Sequence, residues 1–189
     1  MPHVRSANLL AADRSGLLVI DIQEKLVPAI RSADNVIAET LRLIDATELL
    51  DIPTAATVQY PKGLGGLVRE LADRLPPPEE KLDFSAAVCR GALDAWASAG
   101  RDQIVVVGIE THICVLQTVL DLLAEGMRVY VVAEAVAARG GREHETAIEQ
   151  MAECGATIVS AESVLFQWCG TAARPEFKAI SQMIKSKHR

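Results

Sequence analysis

The chain has 189 residues, half of them apolar, and a formal net charge of −6. That length suits a single domain and is enough to bury a core without disulfide or metal staples. The acidic balance argues against a nucleic-acid partner, whose phosphates require clustered Lys and Arg.

In chain order, residues 17–22 are the first strand candidate, an apolar run interrupted by Asp21. Residues 35–50 follow with helical spacing, Ile37, Leu41 and Ile44 on one face. Thr54–Gln59 is the second strand. The segment 62–66, rich in glycine, lacks the spacing of a phosphate-binding loop and reads as a flexible loop, a candidate lid. A helix is expected over 66–75, stopping at Pro76, Pro77 and Pro78. Residues 85–99 form the next helix, with Ser85 or Asp83 as N-cap and Gly100 after its end. Gln103–Ile109 is a strand, 113–125 a helix closed by Gly126, and 128–132 a strand. Helix 142–154 closes at Gly155; strand 157–160 and helix 175–184 complete the pattern.

The strand candidates are apolar nearly throughout, the mark of strands covered on both faces. Repeated strand–helix alternation gives an open α/β domain with right-handed crossovers. No apolar run approaches the roughly 20 residues that span a bilayer. The start of the chain, Met1 to Asp13, is too polar for a secretory signal. Lys185, Lys187, His188 and Arg189 read as a solvated tail. Cys89, Cys114, Cys154 and Cys169 lie far apart with no CxxC pair, which points to reduced thiols in a cytoplasmic protein.

Ligands of open α/β sheets bind beyond the carboxyl ends of the strands. Asp21 ends the first run, Gln59 and Tyr60 the second, and Glu110, Thr111, His112 and Cys114 follow the third; Glu134 lies past the fourth. Cys114 stands near a helix start, where free backbone N–H groups and the dipole favour thiolate and could hold an oxyanion. It reads equally as a small buried hydrophobe. Asp21 faces a cleft or serves as a structural cap. Lys81 is ordinarily solvated and gains interest only beside Asp21 and a thiol. A Cys114–His112 dyad is disfavoured, because residues two apart in a turn seldom face each other. Trp96 and Trp168 read as core or interface residues.

Three segments occur in order: Leu18-Val-Ile-Asp21-Ile-Gln23, Lys81-Leu-Asp-Phe-Ser85 and Gly108-Ile-Glu-Thr-His-Ile-Cys114. Together they resemble the isochorismatase-like hydrolases, which include nicotinamidases and carbamoylsarcosine amidase-like enzymes. The resemblance covers residues 16–177 and implies a single three-layer α/β/α, Rossmann-like domain, with a mostly parallel sheet of about six strands and helices on both faces. It implies Cys114 as nucleophile, Asp21 as proton acceptor and donor, and Lys81 as the residue that holds the pair in register. It further implies an oxyanion hole from the backbone N–H groups of Glu110 and Cys114, and a non-proline cis peptide at Ile109–Glu110. Gln23, Tyr60, Thr111 and His112 are the candidate pocket residues. The metal-binding His residues of nicotinamidases have no counterpart between His3 and His112, so neither metal nor cofactor is expected. The implied activity is thiol-dependent hydrolysis of a small-molecule C–N bond, with self-association. The alternative is a non-catalytic binding or assembly protein on the same fold.

Overall fold

The computed structural model describes residues 4–185. Residues 1–3 and Lys187, His188 and Arg189 of the expected tail lie outside the described residues. The strands are β1 (Ser15–Ile20), β2 (Thr54–Gln59), β3 (Glu79–Lys81), β4 (Gln103–Ile109), β5 (Arg128–Ala137) and β6 (Thr157–Val159). They form one 6-stranded sheet in the order β3-β2-β1-β4-β5-β6, every neighbouring pair parallel. The order reverses between β1 and β4, which places the topological switch point at their carboxyl ends.

Alternating side chains feed two separate cores. Leu17 and Val19 of β1 and Val105, Val107 and Ile109 of β4 face one core, with α1 (Ala33–Leu49), α7 (Ala161–Cys169) and α8 (Phe177–Lys185) packed on it. Leu18, Ile20, Ile104 and Val106 face the other, covered by α4 (Arg90–Ser98), α5 (Leu116–Ala124) and α6 (Gly141–Glu153). The result is the expected three-layer domain, with β1 and β4 buried along their whole length. Among the described residues no helix is long and apolar enough to cross a membrane. Trp96 and Trp168 are both core residues, and a Cβ on Gly16 would lie 2.6 Å from the Trp96 ring.

Several elements depart from expectation. β3 has three residues, all charged, directly after the prolines, and carries no hydrophobic alternation to reveal it. The helix expected over 66–75 shrinks to the single turn α3 (Arg69–Ala72). The segment 62–66 is not a free flap. It holds the short helix α2 (Pro61–Leu64), and Gln23 and Lys25 donate side-chain hydrogen bonds to Gly65 O and Gly63 O. β5 runs on to Ala137, so Glu134 lies within it; its carboxylate accepts from Ala161 N–H at the start of α7. α7 itself was not expected: Ser160, assigned above to a strand, caps it through Ser163 N–H. On α1 Ile44 of the expected face is buried, beside Val36, Thr40, Leu43 and Thr47, whereas Ile37 and Leu41 are only partly covered.

Candidate active site

Three strand tips meet at the switch point. Asp21 follows β1 in a left-handed conformation with φ 53°, which Asp adopts more readily than most residues. The turn aims its carboxylate across β2. Oδ1 accepts from the Thr57 hydroxyl at 2.8 Å, and Oδ2 accepts from Lys81 Nζ at 2.6 Å. Both members of this ion pair have side chains 0% exposed. Lys81, expected to be solvated, ends β3 and points inward. Its ammonium also donates to Gln59 Oε1 at 2.9 Å, to Phe84 O at 3.0 Å and to Asp83 O at 3.3 Å. A buried charge pair persists only when its remaining hydrogen-bonding capacity is met, as it is here.

The third member arrives on β4. Gly108 has φ 135°, and a Cβ there would sit 2.1 Å from Ile20 O. Glycine alone allows β4 to approach β1 this closely, which brings the following turn beside Asp21. The peptide Ile109–Glu110 is cis, as the resemblance implied. Residues Thr111–Val115 then form a π-helical turn that runs into α5, so Cys114 stands within that turn, two residues before the regular helix. Cys114 is buried, and the Asp21 carboxylate and Lys81 ammonium act on its thiol in opposite directions.

The electrostatics correct one expectation. Burial, reinforced by Asp21 and opposed by Lys81, pushes the Cys114 thiol up to about 12. That direction opposes the thiolate that a helix start alone would favour. Cys89 is pushed up to about 11, first by burial and then by Glu79. All four cysteines are free, and only Cys154 is exposed.

Glu110 is buried next to Cys114's turn. Arg139 Nη2 donates to Glu110 Oε1 at 2.6 Å, and Arg139 N–H donates to Oε2 at 2.9 Å. Burial alone would push the Glu110 carboxyl up, but the hydrogen bonds and charge of Arg139 outweigh it and hold the group below its ordinary value.

The expected pocket residues separate. Gln23 is fully buried, and its amide is committed to Gln59 N–H, Gln59 O and Gly65 O; it braces β2 and the following loop rather than facing a ligand. Thr111 is also fully buried, its hydroxyl 2.9 Å from His144 Nδ1. Burial lowers the His144 pKa. Tyr60 lines a surface cavity of about 390 Å³ with Lys62, Glu80 and Leu82. His112 lines a different one of about 360 Å³, with Leu116, Arg142 and Gln150. Among the described residues no cluster of His, Cys, Asp and Glu could hold a metal ion.

Thr57, Gln59 as a ligand of Lys81, and Arg139 were missing from the sequence-based site. A polar residue inside the otherwise apolar β2 was the available signal for Thr57, which pairs in register with Ile20 beside Asp21. Arg139 carried none.

The isochorismatase domain model matches residues 15–163. Isochorismatase domain-containing protein 1 of Salmo salar is 36% identical over 169 residues, 88% of this chain and 59% of its own length. A structure described as MAR1 ribonuclease from Caenorhabditis elegans superposes with a TM-score of 0.87 at 36% identity, covering 94% of this chain and 92% of that one. The YcaC gene product of Escherichia coli, described as an octameric hydrolase of unknown specificity, gives 0.83 at 21% identity, covering 98% of both chains.

Proposed function

The chain belongs to the isochorismatase domain family, and we propose that it is a metal-independent cysteine hydrolase acting on an amide-type C–N bond of a small molecule. The observation that carries this reading is the buried Cys114 thiol lying close enough to a fully buried Lys81–Asp21 pair for both charges to act on it. In the apolar interior such a pair is costly, and replacing it with apolar side chains would often be neutral or stabilising. Its presence beside a thiol at the strand tips favours chemistry over packing.

In the proposed cycle Cys114 attacks the substrate carbonyl as its proton passes to Asp21. A thiol pushed up by burial gains most from such a base. The backbone N–H groups of Glu110 and Cys114 hold the tetrahedral oxyanion. Collapse breaks the C–N bond, and the leaving amine takes the proton from Asp21. Water, deprotonated by Asp21, then hydrolyses the thioester and restores the thiol. Lys81 keeps the Asp21 carboxylate in place throughout.

The test pairs turnover with labelling. A panel of small amides is screened against the wild type and Cys114→Ala, and limiting iodoacetamide is mapped by mass spectrometry in a Cys154→Ser background, because Cys154 is exposed. Hydrolysis lost in Cys114→Ala, with alkylation of Cys114 ahead of Cys89 and Cys169, supports the reading. Full turnover in Cys114→Ala ends it.

The name of the Caenorhabditis elegans neighbour makes RNA the second candidate substrate. The net charge of −6 weighs against it, so a labelled single-stranded RNA belongs in the same panel. Self-association is part of the proposal, supported by the octameric description of YcaC and by exposed Leu82 and Phe84. A cytoplasmic, thiol-reducing location suits the four free cysteines.

A further inference from the structure

The sulfur and the ammonium reach the site on unrelated elements. Cys114 comes from the turn after β4, and Lys81 from the edge strand β3. Lys81 is fixed to its own loop, through the carbonyls of Asp83 and Phe84. That loop continues into a 3₁₀ turn, Ala86–Val88, capped by Ser85. What fixes the loop to the turn bearing Cys114 is one hydroxyl. Thr118 Oγ1 donates to Cys114 O at 2.6 Å and accepts from Ala86 N–H at 2.7 Å.

The geometry is specific. Thr118 is 0% exposed and packed among apolar neighbours, where valine would fit the same volume. A threonine bonding back to the carbonyl four residues earlier bends a helix. Here that bond spans the change from the π-helical turn to α5. The same oxygen takes up the N–H of Ala86, so the backbone carrying the thiol and the backbone carrying Lys81's carbonyl ligands share one atom as a tie.

We propose that Thr118 is a positioning residue that sets the distance between the Cys114 thiol and the Asp21–Lys81 pair by tying the Cys114 carbonyl to the Ala86 amide. This rests on the reading of Cys114 as nucleophile. Thr118 touches no substrate and acts through Cys114 alone. Losing the tie leaves fold and charges in place but lets the thiol drift from its base, and misplacement of about 1 Å lowers rates by as much as about 100-fold.

The experiment measures the rate of Cys114 alkylation by iodoacetamide against pH, by mass spectrometry, in full-length Cys154→Ser protein and in its Thr118→Val and Thr118→Ser derivatives. Thermal melts are recorded alongside. The valine variant is expected to label Cys114 about tenfold more slowly at pH 7, with an altered pH profile. The serine variant, which keeps the hydroxyl, is expected to stay within about threefold of the parent. Unchanged rate and profile in Thr118→Val overturn the proposal. So does faster labelling of Cys114 together with Cys89 and Cys169, the signature of loosened packing. If Thr118→Val does not fold, Thr118→Ala replaces it, and a Thr118→Ser rate as low as that of Thr118→Ala overturns the proposal. A parent protein that labels Cys114 no faster than Cys89 and Cys169 defeats the nucleophile reading itself, a result distinct from all of these.

Discussion

The tips of β1 and β4 each bury a carboxylate, and they neutralise it in opposite ways. Asp21 is paired with a lysine as inaccessible as itself, with side-chain exposures of 0% for both. Glu110, 5% exposed, is paired with an arginine whose side chain is 64% exposed. At the first tip neither charge can turn to water, so the pair stands or falls together. At the second, solvent stabilises the guanidinium and can replace part of what it supplies. The difference separates a carboxylate locked to a buried ammonium, the one proposed as the base, from one that anchors a backbone turn.

Removing the cation is the sharpest way to break this contrast. Lys81→Met leaves Asp21 charged and uncompensated in the interior, and is expected to cost about 3–5 kcal/mol in urea unfolding. The double variant Asp21→Asn/Lys81→Met should recover part of that loss. A Lys81→Met protein as stable as Arg139→Ala would mean that the two tips are equivalent.

The two tips are held together by a glycine. Gly108→Ala brings a methyl group to 2.1 Å from Ile20 O at φ 135°. About 3 kcal/mol of stability should be lost, with slower Cys114 labelling, while a distant surface glycine such as Gly126, with open space around it, tolerates alanine better. Thr57→Val removes one donor from Asp21 Oδ1 and should cost about 1–2 kcal/mol. No equivalent loss is expected at the β4 tip from a single neutral partner.

The smallest effect is a pH dependence. Glu110 titrates below its unfolded value because Arg139 holds it ionised. Its contribution is therefore complete above the unfolded carboxylate value of about 4.3 and is lost as pH falls through the lower folded value. Arg139→Ala should lower the neutral plateau slightly and flatten the acid limb, so that the two stability curves converge below about pH 4. Identical acid limbs in the two proteins would show that Arg139 does not set the Glu110 ionisation.

The sequence by itself determined the class of fold and, through the family resemblance, named the candidate site residues. Apolar strands covered on both faces, helix stops at glycine, and an acid and a cysteine placed just past apolar runs are local signals, whereas Lys81 was singled out only by the resemblance. They follow from backbone periodicity and from the cost of burying charge without a partner. Tertiary structure alone decided how those groups stand toward one another. β3 was invisible because three charged residues show no alternation, yet pairing with β2 buries Lys81 against Asp21. The Cys114 thiol is pushed up rather than down, because its burial outweighs the ammonium beside it, and burial belongs to the packed domain rather than to a turn. Gln23 moved from ligand contact to brace for a similar reason: the loop at Gly65 folds back and takes up its amide. Spacing along a chain records which groups lie at strand ends, whereas dielectric surroundings and hydrogen-bond partners arise only once distant segments close around them.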